Sequence, residues 1–285
     1  MYEIIDGKKV SAFIKDDIKE RVNEYKTRYG KDIFLAVVLV GEDHASKVYV
    51  KNKMKACEYV GIVSETYVLP EESPEEEVAA LVKKLADDNS VDGILVQLPL
   101  PKHINQERIL KLIPDEKDAD GFSDANIGRL FQNKKSVVSC TPAGIMELLK
   151  FYKINPAGKR AVIIGRSNIV GKPMAALLLN AHSTITVCHS KTVNLKEVTK
   201  DADILVVAIG KPEFVTADMV KENAVVIDVG INRVNGQLVG DVDFEAVKEK
   251  ASYITPVPGG VGPMTIAMLM SNTYYLAAAR AEKTE

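Results

Sequence analysis

Alternation of apolar runs with amphipathic segments predicts an α/β protein of two domains, each built on a parallel sheet. Three observations carry this prediction. Near-continuous β-branched runs recur at residues 33–40 (IFLAVVLV), 204–209 (ILVVAI) and 225–229 (VVIDV), the pattern of strands covered on both faces. Segments of helical character lie between such runs, as βαβ crossovers require. The length, 285 residues, suffices for two separate cores.

Taken in order, residues 8–29 carry Val10, Ile14, Ile18, Val22 and Tyr25 at helical spacing and end near Gly30. Residues 33–40 form a buried strand, 46–60 a second helix stopped by Gly61, and 63–69 a strand. Ser73 is expected to cap a third helix whose first turn holds Glu75, Glu76 and Glu77, where the dipole favours negative charge. Residues 91–98 (VDGILVQL) are another strand. The pattern then breaks into a loop-rich stretch, 113–133. Thr141-Pro142 opens a helix running through 143–151, and the domain boundary is placed there. Residues 1–140 with 264–285 make one domain, and 141–263 the other. In the second, strands follow at 184–188, 204–209 and 225–229, with short crossover helices expected at 194–200 and 217–223. Asn235-Gly236 signals a hairpin joining 231–234 to 237–239. Residues 255–263 (TPVPGGVGP) form a glycine–proline loop. Residues 264–280 form a long apolar helix expected to return to the first domain, so that helices at Thr141 and Met264 join the two.

Composition narrows the function. Formal net charge is −2, with 46% hydrophobic and 27% charged residues, which gives no support to a nucleic-acid or membrane-surface protein. Cys57, Cys140 and Cys188 form no CxxC pair and suggest free thiols in a reducing compartment. His44, His103, His182 and His189 show no metal-ligand spacing, so no metal is expected. The start, MYEIIDGKKV, lacks the apolar core of a signal peptide, and no apolar run approaches a membrane span. A soluble cytoplasmic protein is the expectation.

The most informative stretch is residues 159–179, KRAVIIGRSNIVGKPMAALLL. A strand ends at Gly165, and Gly171 and Pro173 open a run of helix formers. Strand, glycine turn and helix match the opening of a Rossmann-like nucleotide unit, whose helix-start N–H groups would face a pyrophosphate, and on this stretch alone match an ordinary strand-to-helix turn at least as well. Ser167 stands where the usual fingerprint has a glycine, and Gly171 comes one place late. The second strand ends at His189-Ser190-Lys191, where NAD-binding versions carry an acidic residue for the ribose 2′-hydroxyl. With Arg166 in the glycine turn, a hydroxyl and two cations suit a 2′-phosphate, which favours NADP over NAD.

Outside this unit, Tyr49 and Lys53 lie four apart on one helix face, a phenol beside an ammonium, where the cation would favour phenolate. With Lys47, Lys51 and Lys55 nearby, spacing alone favours a solvated basic face over a catalytic pair. Gln97 lies near the C-terminal end of its strand, where ligands of open α/β sheets gather. Pro99 and Pro101 stiffen the loop after it. A neutral amide there can hold a lysine without adding negative charge. In Lys117-Asp118-Ala119-Asp120-Gly121-Phe122, one carboxylate can accept paired N–H donors from a heterocycle, and spacing does not choose Asp120 over Asp118. A Tyr-x-x-x-Lys pair also occurs in short-chain dehydrogenases, but there it follows the glycine turn.

In order along the chain, SKVYVKNKMKACEYVGI, ILVQLPLPKHI, KDADGF, GRSNIVGKPMAALLL, HSKT and TPVPGGVGPMT closely resemble the bifunctional methylenetetrahydrofolate dehydrogenase/methenyltetrahydrofolate cyclohydrolase family. The resemblance covers nearly the whole chain. It implies oxidation of 5,10-methylenetetrahydrofolate with NADP and hydrolysis of the methenyl product to 10-formyltetrahydrofolate. The N-terminal domain would bind folate and the C-terminal domain NADP, with both ligands in the cleft between them, and the protein would be a homodimer. Lys53 would be the base of the hydrolysis, Gln97 would orient its amine, and Tyr49 would position the folate. Asp120 would grip the pterin N–H groups. Pro99, Gly262 and Pro263 would border the substrate, and Gly259, Gly260 and Gly262 would let backbone approach a ligand. Gly165, Arg166, Ser167, Val170, Gly171, His189, Ser190, Lys191 and Ile231 would hold the cofactor. One departure stands out: after Phe122 many members carry His-Pro, where this chain has Ser123-Asp124.

Overall fold

Valine, isoleucine and leucine runs form the sheet interiors, and helices fill the intervals. A computed structural model describes residues 2–283, with side chains except at residues 44 and 45. The elements begin with β1 (Glu3–Ile4), α1 (Gly7–Tyr29), β2 (Phe34–Val40), α2 (His44–Val60), β3 (Val63–Leu69) and α3 (Glu75–Asp87). Next come β4 (Gly93–Val96), α4 (Gln106–Leu110), α5 (Asp124–Phe131), α6 (Cys140–Phe151), β5 (Arg160–Ile164), α7 (Gly171–Asn180) and β6 (Thr184–Cys188). The chain continues with α8 (Leu195–Thr199), β7 (Ile204–Val207), β8 (Val225–Asp228), β9 (Asn232–Val234), β10 (Gln237–Val239), α9 (Phe244–Val247), β11 (Tyr253–Ile254) and α10 (Val261–Glu282).

Contacts group these elements into two units, Met1–Ser11 with Ser139–Thr265, and Ala12–Val138 with Ile266–Glu285. The second holds a parallel sheet of order β3-β2-β4, with Leu35 opposite Gly93 and Val38 opposite Val96. Central β2 is buried along nearly its whole length, and Val78, Ala79, Val82 and Leu85 of α3 pack in the same core. The last part of α10 is tied into this unit. Asn272 donates from Nδ2 to Ala119 O (3.0 Å) and Val138 O (2.9 Å), and the Arg280 guanidinium donates to Val91 O at 2.6 Å.

The other unit is built on a six-stranded parallel sheet of order β1-β11-β8-β7-β5-β6. The chain steps outward from β5 to β6 and then returns past β5 to β7. That reversal puts a ligand crevice beyond the C-terminal ends of β5 and β7. In the β9–β10 hairpin, Asn235 (φ 49°) and Gly236 (φ 83°) take the left-handed pair that the Asn-Gly signal calls for.

Several expectations are corrected. Residues 2–11 belong with the nucleotide-type sheet: Glu3 pairs with Tyr253 and Ile4 with Ile254, a pairing too short to read from periodicity. The helix from Thr141 lies wholly in that unit, and the helices with residues in both units are α1 and α10. Ser73 does not cap α3. Pro74 precedes the helix, and it is the Ser73 carbonyl that is used, 3.0 Å from His103 Nε2. Residues 217–223 form only a 3₁₀ turn at Ala217–Met219, and the stretch 113–133 contains α5.

Candidate active site

Helix α2 starts on the Asp43 carboxylate, which accepts the Ser46 N–H at 2.8 Å, and stops at left-handed Gly61. Its turn places Tyr49 and Lys53 on one face. Lys47, Lys51 and Lys55 are exposed, whereas Lys53 is 8% exposed, so Lys53 stands apart from the solvated basic face. Its Nζ donates to Gln97 Oε1 at 2.9 Å. Gln97 is held at both ends: its backbone N–H donates to Val38 O (2.8 Å) and Nε2 donates to Leu98 O (2.7 Å). The second bond turns Oε1 towards the amine. One turn either side of Lys53, burial raises the Tyr49 phenol and pushes the Cys57 thiol up to about 11. The Cys57 shift marks poorly hydrated surroundings on that side of Lys53. The Tyr49 shift corrects one expectation: Tyr49 is a neutral phenol, because desolvation disfavours the phenolate.

Packing distinguishes the surroundings of Asp118 and Asp120. Lys117 buries its amine against the end of α3, donating to Ala86 O and Asp88 O at 2.6 Å each. Asp118 is buried and its oxygens are spent within the loop: Oδ1 accepts the Gly121 N–H at 2.9 Å, and Oδ2 accepts the Ser123 N–H at 2.7 Å and Asn126 Nδ2 at 3.1 Å. Asp120 is half-buried. Ile94 bridges Asp118 in parallel, so Asp120 and Gln97 leave the sheet at the same edge. The Ser123-Asp124 departure also resolves. Ser123 Oγ accepts the Asn126 N–H at 3.2 Å and caps α5, and Asp124 sits in its first turn.

In the nucleotide-type unit, Gly165 has φ 127°, and a Cβ there would collide with Ala208 O. A Cβ at Gly171 would collide with Gly165 O. Both glycines therefore let the turn fold tightly over the ends of β5 and β7. Ser167 occupies the place of the missing glycine, and its Oγ accepts the N–H groups of Val170 (3.2 Å) and Gly171 (3.3 Å). This corrects the expectation of open amides at the start of α7: those two are already capped. Arg166 and Ser167 are exposed.

The turn after β6 is closed by its own residues. Thr192 Oγ1 accepts the His189 N–H at 2.8 Å, and His189 Nδ1 accepts the Lys191 N–H at 3.1 Å. Ser190 and Lys191 are left exposed. Pairing of Ile164 with Cys188 sets this turn beside the glycine turn, and neither GRSNIVG nor HSKT contains a carboxylate. Such an arrangement fits a nucleotide with an added phosphate. Ile231 is 47% exposed just after β8, with its Cδ1 at an ordinary 3.7 Å from where a Gly262 Cβ would stand. Pro263 O accepts the Ser11 hydroxyl at 3.0 Å. Gly259 and Gly260 are accounted for by the protein's own turn: Gly259 O accepts the Gly7 N–H at 2.9 Å, and a Cβ at Gly260 would lie 2.6 Å from Pro256 O.

Residues 5–120 match the catalytic-domain model, and residues 139–281 the NAD(P)-binding-domain model, of tetrahydrofolate dehydrogenase/cyclohydrolase. The chain belongs to the tetrahydrofolate dehydrogenase/cyclohydrolase family. It is 57% identical to the bifunctional protein FolD of Francisella philomiragia, covering 96% of this chain and 98% of that one. The bifunctional FolD enzyme of Campylobacter jejuni has a similar crystal structure, with 52% identity, TM-score 0.96 and coverage of 98% and 100%. The Trypanosoma brucei dehydrogenase-cyclohydrolase, solved with NADP cofactor and inhibitor, gives 37% identity, TM-score 0.94 and coverage of 98% of each chain.

For this family member, the sequence reading missed residues that act through others. Asn126 and Ser123 bind up Asp118, and a Ser-x-x-Asn cap pattern was the available signal. Asn272, buried on α10, ties Ala119 and thereby the turn that holds Asp120. Nothing in an apolar helix pattern marks it. Among the described residues, no group of His, Cys, Asp and Glu could hold a metal ion, and no helix is long and apolar enough to cross a membrane.

Proposed function

We propose that this family member oxidises 5,10-methylenetetrahydrofolate to the methenyl compound with NADP⁺ and hydrolyses that compound to 10-formyltetrahydrofolate. The observation that carries the reading is the buried Lys53 amine held at 2.9 Å by the Gln97 amide oxygen. With one N–H committed to Gln97, the Lys53 nitrogen is oriented to take a proton from water. As the water oxygen bonds to the methenyl carbon, Lys53 takes one water proton; as the bond from that carbon to the leaving folate nitrogen breaks, Lys53 returns the proton to the nitrogen, and the remaining hydroxyl proton passes to solvent as the formyl C=O forms. A carboxylate in place of Gln97 would favour the ammonium and disable the base. Tyr49 offers a neutral hydroxyl and ring face for positioning, Pro99 and Pro263 border the substrate, and Asp120 accepts pterin N–H groups. NADP⁺ supplies the hydride acceptor when bound. Arg166, Ser190 and Lys191 would hold its 2′-phosphate, while Gly165, Ser167, Val170, Gly171, His189 and Ile231 would line its path.

The hydride step needs no protein base, because hydride loss leaves an amidinium stabilised by its nitrogens. Lys53 therefore serves hydrolysis, and the two activities should be separable. Mixing the protein with methylenetetrahydrofolate and NADP⁺ tests the assignment: the methenyl chromophore should form and then decay. Formation without decay would remove the cyclohydrolase, and binding without formation would leave only a nucleotide sensor.

We further infer a cytoplasmic homodimer. The exposed apolar side chains Val234 and Leu238 on the β9–β10 hairpin support self-association, and three buried free thiols fit a reducing compartment. Sedimentation at micromolar concentration should give twice the chain mass; a monomer would refute the dimer.

A further inference from the structure

Just past the ends of β7 and β8, Asp241 is completely buried, and its carboxylate gathers donors from two other loops. Oδ2 accepts the N–H groups of Ile209 (2.7 Å) and Gly210 (3.0 Å). Oδ1 accepts the N–H of Lys211 (2.8 Å) and Nδ2 of Asn232 (2.9 Å). Three consecutive amides turned onto one anion form a nest, here filled by the chain's own carboxylate. The nest continues directly from Ala208, whose carbonyl is the atom that a Cβ at Gly165 would strike. Asn232 continues from Ile231, and a Cβ on neighbouring Gly230 would collide with the Asp241 carboxyl. The backbone of Asp241 is fixed as well: its N–H donates to Asp228 Oδ1 at 2.9 Å and its carbonyl accepts the Val215 N–H at 3.0 Å.

We propose that Asp241 is a positioning residue for the nucleotide, shaping the 209–211 turn against the glycine turn and Ile231 while playing no part in hydrolysis. The inference deepens the cofactor reading above and rests on it. Each oxygen accepts two donors, so an uncharged isostere cannot replace it. An Asn at 241 must aim its NH₂ at N–H groups, which opens the turn on one side.

Asp241→Asn should weaken NADP⁺ binding, measured by calorimetry, by at least about 10-fold, while hydrolysis of added methenyltetrahydrofolate stays within about 2-fold. A merely structural role would lower both together, and unchanged NADP⁺ affinity would equally overturn the proposal. Should that variant fail to fold, Asn232→Ala decides, because it removes one donor from a half-buried side chain. A rise of about 3-fold or more in the NADP⁺ dissociation constant, with hydrolysis retained, supports the proposal; no rise refutes it. Calorimetry needs no turnover. If the unaltered protein binds NADP⁺ yet turns over no folate, the functional reading fails while this one still stands or falls on the variants.

Discussion

At the scale of single residues, burial and hydrogen-bond saturation separate chemically available groups from structural ones. Four lysines crowd one short stretch of α2, and only Lys53 is buried and aimed at an amide oxygen. Two aspartates sit two residues apart, and Asp118 is consumed by Gly121, Ser123 and Asn126. On the proposed pterin contact, Asp120→Ala should weaken folate binding by 10-fold or more with little change in NADP⁺ affinity, as titration with each ligand would show. Equal losses would count against the pterin contact. Much of this site was legible as residue types. Tyr49, Lys53, Gln97 and the KDADGF acids were noticeable from spacing and strand position, but spacing alone favoured a solvated basic face for Tyr49 and Lys53, and the roles came from the family resemblance. That Asp118 is bound up by Gly121, Ser123 and Asn126 was illegible, because it depends on how the loop folds.

At the scale of elements, strands and long helices followed periodicity, and misreadings fell where a few residues decide. A two-residue strand and a helix capped inside a polar stretch carry too few apolar positions to show a period. The cap is testable: Ser123→Ala should cost about 1 kcal/mol of stability in denaturant unfolding. No loss would mean that Asp118 alone holds α5. In β8, burial pushes Asp228 up to about 6, outweighing N–H bonds from Asp241, Val242 and Gly230, with the Asp241 carboxylate adding repulsion. Free aspartate titrates near ~3.9. Between these values the folded chain holds a proton that the unfolded chain lacks, so this contribution to stability grows as pH falls from 7 towards 4. Relative to Asp228→Asn, the unaltered protein should gain roughly 2–3 kcal/mol across that window. Parallel pH profiles for the two would contradict the assignment.

At the scale of the whole molecule, two units, each with a parallel sheet, bring ligand-facing loops to the C-terminal ends of their strands. The α/β class and the two-part division were legible because β-branched runs and glycine turns are local signals. The exchange of residues 2–11 into the nucleotide-type unit was not, because it depends on a partner strand some 250 positions away. The proposed 2′-phosphate contacts make cofactor choice a matter of surface charge, since the turns that hold Arg166, Ser190 and Lys191 contain no acid. Ser190→Asp should shift preference from NADP⁺ towards NAD⁺ by at least about 10-fold in relative kcat/KM, through like-charge repulsion. An unchanged ratio would place phosphate recognition elsewhere. The central claim is that one buried amine performs hydrolysis and is dispensable for hydride transfer. Its most direct test follows the methenyl chromophore after mixing Lys53→Met with methylenetetrahydrofolate and NADP⁺. The chromophore should form and then persist at the uncatalysed rate; decay as fast as with the unaltered protein would contradict the account.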